Sequence, residues 1–539
     1  MRRSQEQQIN IGEAFAQAMQ AYEGGRAGEA RKLAHQIIEA RPDFGGAHYL
    51  LGLLALDQGR APRAVDHLAK AIAITPGQAV LHLAMGRALD LDDKASEAAL
   101  HFRMVLSLDP GHAEAHARLA ALAARQGRSD NAIEHCRAAV AADPAHAEAW
   151  NLLGALVHQR GDAAAAIEPL RRALALRPEW PAALNNFGVA LKEVGQLDTA
   201  VTILEGAVTL KPGHAGYRAN LAAALRAQGR LDAARAEAER ATKTDPRNAD
   251  AWIELGLARQ AQGHLEGAAA AFDRAVSVAP AQVHAHYCLA EARRLLGQGD
   301  KAASAYRHCL ELDPEDRHGA ALGLALTGAG PAPDRAPEAY VRQLFDEYAG
   351  RFDQALLNRL EYRAPALLAD ALTRVIGEAH GLAVMDAGCG TGLAAPVLRP
   401  RAAVLDGVDL APAMVEKARA RELYDDLAVG ELVATLAARP ERYDLIVAAD
   451  VLVYLGNLAP VMQAAHQALH PSGTFAFTVE RTDDAETYLL GPKSRYAHAP
   501  AYVHGSAEAN GFRVALMEEA VTRREAGQDV PGLVVVLTR

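Results

Sequence analysis

A chain of 539 residues exceeds what one hydrophobic core supports, so two or more domains are expected. Half the residues are apolar and 23% are charged, and the net charge of −10 reflects an acidic surplus both before and after residue 340, which speaks against a nucleic-acid binder. The four cysteines are scattered without a CxxC pair, so neither a disulfide framework nor a structural metal is expected.

Residues 1–10 form a polar tail that lacks the apolar stretch of a secretory signal. No run approaches the roughly eighteen apolar residues of a membrane span, and the expected location is cytoplasmic. From residue 11 onward the chain follows a ruler. Pro42, Pro76, Pro110, Pro144, Pro178, Pro212, Pro246, Pro280 and Pro314 are spaced 34 residues apart. An alanine stands twelve positions before each, from Ala30 to Ala302, and a glycine stands five before that alanine in eight of nine cases, Asp93 being the exception. The glycine suits a reversal that needs positive φ, the alanine lets two helices approach closely, and the proline stops the second helix. In AWNLLGALVHQRG, Trp150, Leu153 and Val157 fall on one helical face.

This 34-residue helix–turn–helix resembles the tetratricopeptide repeat, with nine copies over 11–316 and a capping helix over 317–327 that covers the last apolar face. The resemblance implies an all-α superhelical solenoid whose concave surface holds a protein or peptide. Asn186 and Asn220 share one repeat position and resemble the asparagine ladders that grip extended peptides in this family; the alternative is a pair of solvated polar positions. His112, His146 and His214, in the inter-repeat turns, read as polar turn residues and not as a metal site.

Residues 328–338, within GAGPAPDRAPEA, read as a short, semi-stiff linker to a second domain over 339–539. VRQLFDEYAGRFDQAL (341–356) and APALLADALTRVI (364–376) are expected to be helical. LAVMDAG, AVLDGVDL, LAVG, YDLIVAAD and GTFAFTVE follow as short apolar runs separated by helical segments, the spacing of a parallel sheet. FRVALMEEAV and GLVVVLTR are joined by a polar loop too short for a crossover helix, so they are expected to form an antiparallel sheet edge.

The first run leads into DAGCGTG. A dinucleotide fingerprint places its third glycine three residues after the second, but position 393 is Leu and Gly392 comes one residue early. The stretch instead resembles the first motif of class I S-adenosylmethionine-dependent methyltransferases, which implies an α/β Rossmann-like domain. Asp409 would accept both ribose hydroxyls, although a dinucleotide site would use such an acid too. The resemblance further implies Glu431 and Leu432 at adenine, Asp450 below the methionine part, and Tyr348 and Phe352 closing over the cofactor. Asp386, Ala387, Gly388, Gly390, Gly392, Leu410 and Met414 complete the expected cofactor set.

The whole second domain resembles predicted methyltransferases that carry tetratricopeptide repeats, and also the ubiquinone/menaquinone type of small-molecule enzyme. The stretch Asp450-Val451-Leu452-Val453-Tyr454 lacks the Pro-Pro-aromatic motif of many nitrogen methyltransferases, which argues against a nucleobase or glutamine acceptor. Tyr454, Tyr496 and His498 are the candidates for the acceptor side, His498 as a base. Cys389 reads as a small residue beside the cofactor. The expected activity is methyl transfer to an acceptor that the solenoid recruits. The alternatives are a scaffold that binds the cofactor without turnover and a small-molecule methyltransferase that uses the repeats only for assembly.

Overall fold

The computed structural model describes residues 10–349, 352–353, 362–525 and 527–539; the tail over 1–9 and part of the helix expected over 341–356 lie outside the described residues. The chain divides into two compact units, residues 1–190 and 191–539.

In the first unit, helices of 13 and 14 residues alternate, from Ile11–Glu23 and Ala27–Ala40 to Ala147–Gln159 and Ala163–Leu176. The same alternation ends in the second unit with Val283–Leu295 and Gly299–Leu312. The three marks of the ruler take the roles their chemistry suggests. The turn glycines adopt φ between 67° and 90°, and Asp93, the one substitute, adopts 59°. All nine ruler alanines are fully buried. His112, His146 and His214 are helix N-caps, each accepting a backbone N–H on Nδ1 (from Ala115, Ala149 and Tyr217) at 3.3 Å.

In the second unit the last repeat is followed by the short helix Ala320–Leu326, capped by Asp316, which accepts the N–H groups of Ala320 and Ala321. Leu322 of this helix is buried with Ala336, Leu490 and Tyr496 of the following domain. The expected linker is therefore more than a spacer. The Asp334 carbonyl accepts the N–H groups of Gly456 and Asn457 at 2.8 and 2.9 Å, and the Ala336 N–H donates to the Tyr454 carbonyl at 2.8 Å. The Tyr496 hydroxyl donates to the Pro333 carbonyl, and that of Tyr488 donates to Asp334.

After the helices Glu338–Tyr348 and Ala364–Ile376 comes one mixed sheet. Its parallel part comprises β1 (Leu382–Ala387), β2 (Ala402–Asp409), β3 (Asp426–Val429), β4 (Tyr443–Ala448) and β5 (Leu469–Arg481), in the order β3-β2-β1-β4-β5. A hairpin of β6 (Tyr488–Leu490) and β7 (Tyr496–His498) joins the last residues of β5. The final pair is antiparallel: β9 (Gln528–Thr538) lies between β5 and β8 (Arg513–Glu525). Separate apolar clusters fill the two faces, one around Phe475, Phe477 and Met462, the other around Leu368, Leu372 and Val536. The five parallel runs and the antiparallel finish match the sequence reading; the β6–β7 hairpin was not anticipated.

Candidate functional site

β1 pairs with β2 on one side and β4 on the other, so the strand order reverses at its carboxyl end, where open α/β sheets hold ligands. The glycine turn begins there. Gly388, Gly390 and Gly392 have φ of 77°, 54° and 83°, values only glycine adopts cheaply. A Cβ on Gly388 would lie 2.4 Å from Cγ2 of Val451, so the turn packs directly on the chain leaving β4. Beside Gly390 the nearest atom is Cε1 of Phe352 at 3.9 Å, which leaves that surface of the turn open.

Asp409, at the end of β2, anchors the turn: Oδ2 accepts the Gly390 N–H and Oδ1 that of Ala411, both at 2.9 Å. Burial raises its pKa, and those N–H groups oppose the shift. Each oxygen keeps a second lone pair for a ligand hydroxyl. Glu431, after β3, caps the next helix by accepting the Ala434 N–H at 2.7 Å and lies 3.5 Å from Arg335.

Gly388, Gly390, Asp409, Glu431 and Asp450 line one cavity of about 370 Å³. Leu410 and Leu432 contribute apolar surface, and Phe345, Tyr348, Phe352 and Tyr454 form an aromatic wall, with Phe345 edge-on to Phe352 and Tyr454. The cradle fits a nucleoside: acids for hydroxyl and amino donors, apolar side chains for a ring, and an open glycine surface where the backbone must approach closely. Among the described residues, no three His, Cys, Asp or Glu side chains converge as metal ligands.

Residues 340–514 match the family model described as a methyltransferase domain. Two models described as tetratricopeptide repeat match residues 15–79, 137–181 and 253–317, and residues 91–156 and 190–259. The chain carries tetratricopeptide repeats and a methyltransferase domain. The domain is similar to methyltransferase-like protein 27 of Homo sapiens, 39% identical over 111 residues, which are 20% of this chain and 44% of that protein. It is also similar to the ubiquinone biosynthesis O-methyltransferase of Leptothrix cholodnii, 29% identical over 128 residues, 22% of this chain and 52% of that one. The chain thus spans about half the length of the curated relatives it matches. Among solved structures, the tetratricopeptide protein YrrB superposes with a TM-score of 0.32 at 20% identity, over 35% of this chain and 96% of that one. An S-adenosylmethionine-dependent methyltransferase from Mesorhizobium loti gives 0.26 at 20% identity, over 32% and 96%.

Not every residue expected at the site of the methyltransferase domain reaches the cavity. Asp386 is buried behind the turn, accepts the Tyr424 hydroxyl at 2.6 Å and, through burial, has its pKa raised to about 7. Ala387 belongs to the core, Gly392 packs against Arg421 and Tyr424, and Met414 is buried beneath Phe345 and Phe352. Tyr454 lines the cavity, but Tyr496 and His498 do not. Tyr496 is held at Pro333, and Nε2 of His498 donates to the carbonyls of Leu455 and Gly456 at 2.9 and 3.2 Å. Burial lowers the His498 pKa to about 4. A fully buried imidazole in this setting is a structural tie, and the base role expected for it does not fit its placement.

In the solenoid, Asn186 donates to Asn151 at 3.2 Å, and Asn220 is half-buried on the helix Ala215–Ala227. The sequence reading missed Arg495 and Arg523, which both line the cavity beside Asp450. Their one sequence signal is the density of charge in RTDDAE, PKSR and TRRE, unusual for a sheet interior.

Proposed function

We propose that this chain transfers a methyl group from S-adenosylmethionine to an acceptor that the repeats help to select. The observation that carries the reading is the convergence of Gly388 and Gly390, Asp409, Glu431 and Asp450, from four consecutive parallel strand ends, on one cavity. Asp409 would hold the ribose, Glu431 and Leu432 the adenine, and the open surface of Gly390 the methionine chain. Bound there, the cofactor would supply an electrophilic methyl carbon on sulfur. The chain's own contribution is alignment and exclusion of water, through the aromatic wall over the cavity. Cys389 is no competing nucleophile, because burial pushes its thiol pKa up and keeps it protonated.

The concave face of the repeats is the proposed seat of a protein or peptide partner, with Asn186 and Asn220 as candidate contacts. A second reading, a small apolar acceptor that enters the cavity itself, is favoured by the aromatic wall of Phe345, Tyr348 and Tyr454. It also agrees with the names of the ubiquinone-pathway relatives.

Asp409→Ala is expected to weaken S-adenosylhomocysteine binding by about 2–4 kcal/mol, the loss of two hydrogen bonds to a charged group. Titration calorimetry measures it, and an unchanged affinity removes the ribose assignment. Methyl-labelled cofactor added with cell extract then separates the acceptors: label in protein supports the first reading, label in small molecules the second.

A further inference from the structure

Arg523, near the end of β8, is an arginine with 2% side-chain exposure and three carboxylates around it. Its Nη1 donates to Asp450 at 2.6 Å, its Nε to Glu525 at 2.8 Å, and its Nη2 to Glu480. A buried guanidinium is costly unless its donors are matched, and here the donors fan out to three different strand ends. Glu480 and Glu525 also pair with Arg495, at 3.7 and 2.6 Å, and Glu525 with Lys493. Of the three carboxylates, Asp450 is the one that lines the cavity.

Asp450 is held unusually on its main chain as well. Its φ is 60°, a left-handed conformation that a residue with a Cβ adopts only against steric resistance. Its N–H donates to Thr478 Oγ1 at 2.9 Å, and the next residue, Val451, packs against Gly388. The carboxylate is thereby fixed beside the glycine turn, with one oxygen, Oδ1, taken by Arg523.

We propose that Arg523 is a positioning residue that, by holding Oδ1, aims Oδ2 of Asp450 into the cavity as the seat of the α-ammonium group of S-adenosylmethionine. The inference rests on the cofactor reading above and adds to it how the amino-acid end is recognised. A strained backbone and a guanidinium shared among three acids leave Asp450 little freedom to turn away, which is what a point contact to an ammonium group requires.

Two ligands separate this role from a merely structural one. S-adenosylhomocysteine carries the amino-acid portion; 5′-methylthioadenosine shares the adenosine and thioether but lacks it. Calorimetry on the full chain should find the first tighter. Arg523→Gln should weaken S-adenosylhomocysteine about tenfold or more, while methylthioadenosine stays within about twofold. Asp450→Asn should show the same split, and the double variant should lose no more than Asp450→Asn alone. Equal loss of both ligands, or additive losses in the double variant, overturns the positioning role. Should Arg523→Gln not fold, Arg523→Lys, which keeps the buried charge but cannot reach three carboxylates, gives the same ratio. If the unaltered chain binds neither ligand, the cofactor reading itself fails.

Discussion

Asp386 and Asp409 stand 23 residues apart at the ends of neighbouring strands, and burial raises the pKa of both, but different donors oppose the shift. Asp409 faces the cavity and is braced by two backbone N–H groups. Asp386 is 1% exposed, and burial raises its pKa to about 7, the Tyr424 hydroxyl opposing the shift. A folded-state value above the unfolded one means that the folded chain holds a proton the unfolded chain releases. This contribution to stability is full below about pH 4 and is lost as pH rises through 7. Asp386→Asn should therefore be stabilised relative to the unaltered chain by about 2–4 kcal/mol at pH 8 and by little at pH 4. Thermal melts at the two pH values measure it, and a pH-independent difference removes the assignment. The same scale shows where sequence reading stopped. Tyr496 and His498 are two apart on β7 and share a face, and that face turns inward. Arg495, one residue earlier, is on the other face and lines the cavity. Which face of a three-residue strand meets the cavity depends on its pairing with β5, which no local pattern encodes.

The repeating elements were legible because their marks act through local backbone chemistry, and the structure adds a fourth mark. In six of the nine repeats the residue six positions after the ruler proline donates a side-chain N–H to that proline's carbonyl. It is His82 at Pro76, His116 at Pro110, Trp150 at Pro144, Arg218 at Pro212, Trp252 at Pro246 and His286 at Pro280. Histidine, tryptophan and arginine all serve as the donor, and Leu184 and Ala320 interrupt the series, so the pattern stays hidden in letters. In the repeats that use histidine, the bond assigns the proton to Nε2 and leaves Nδ1 as an acceptor. Two of these Nδ1 atoms meet a second histidine, His82 meeting His101 and His116 meeting His135, both at 3.0 Å, and at the same repeat position His48 Nδ1 meets His67 at 3.4 Å. Burial lowers the pKa of His48, His67, His101 and His135. The partner imidazoles and Lys70 or Arg103 add to the shift, and Asp66, Glu97 and Glu134 oppose it. Folded values below the unfolded value of about 6.5 mean that stability is lost as pH falls through that range. Hydrogen exchange in the helices Ala95–Leu108 and Ser129–Ala142, corrected for intrinsic rates, should accelerate between pH 7.5 and 5.5. The triple variant His67→Gln, His101→Gln, His135→Gln should flatten that dependence. An equally steep response in the variant would mean that the pairs are not its source.

At the scale of the whole chain, the boundary between repeats and methyltransferase domain is where composition misleads. Proline and glycine in 328–338 read as a spacer, but Pro333, Asp334 and Ala336 each make a backbone bond to the second domain. Arg335, Ala336 and Glu338 line the cavity. Gly456 and Asn457 offer N–H groups that need an acceptor, and the segment is threaded past them to supply one. The capping helix is similarly shared, since Leu322 is buried against Tyr496. A fragment cut at the apparent domain start therefore removes part of the site. A chain beginning at Val283, which keeps the last repeat, should bind S-adenosylhomocysteine within about threefold of the full chain, because the groups that line the cavity are retained. A chain beginning at Val341 should bind at least about tenfold more weakly, through the lost wall and the freed Tyr454 carbonyl and Gly456 N–H. Calorimetry on both, with circular dichroism to establish folding, measures the difference. Equal affinity in the two fragments would reduce residues 328–340 to a tether and return the cofactor site to the sheet alone.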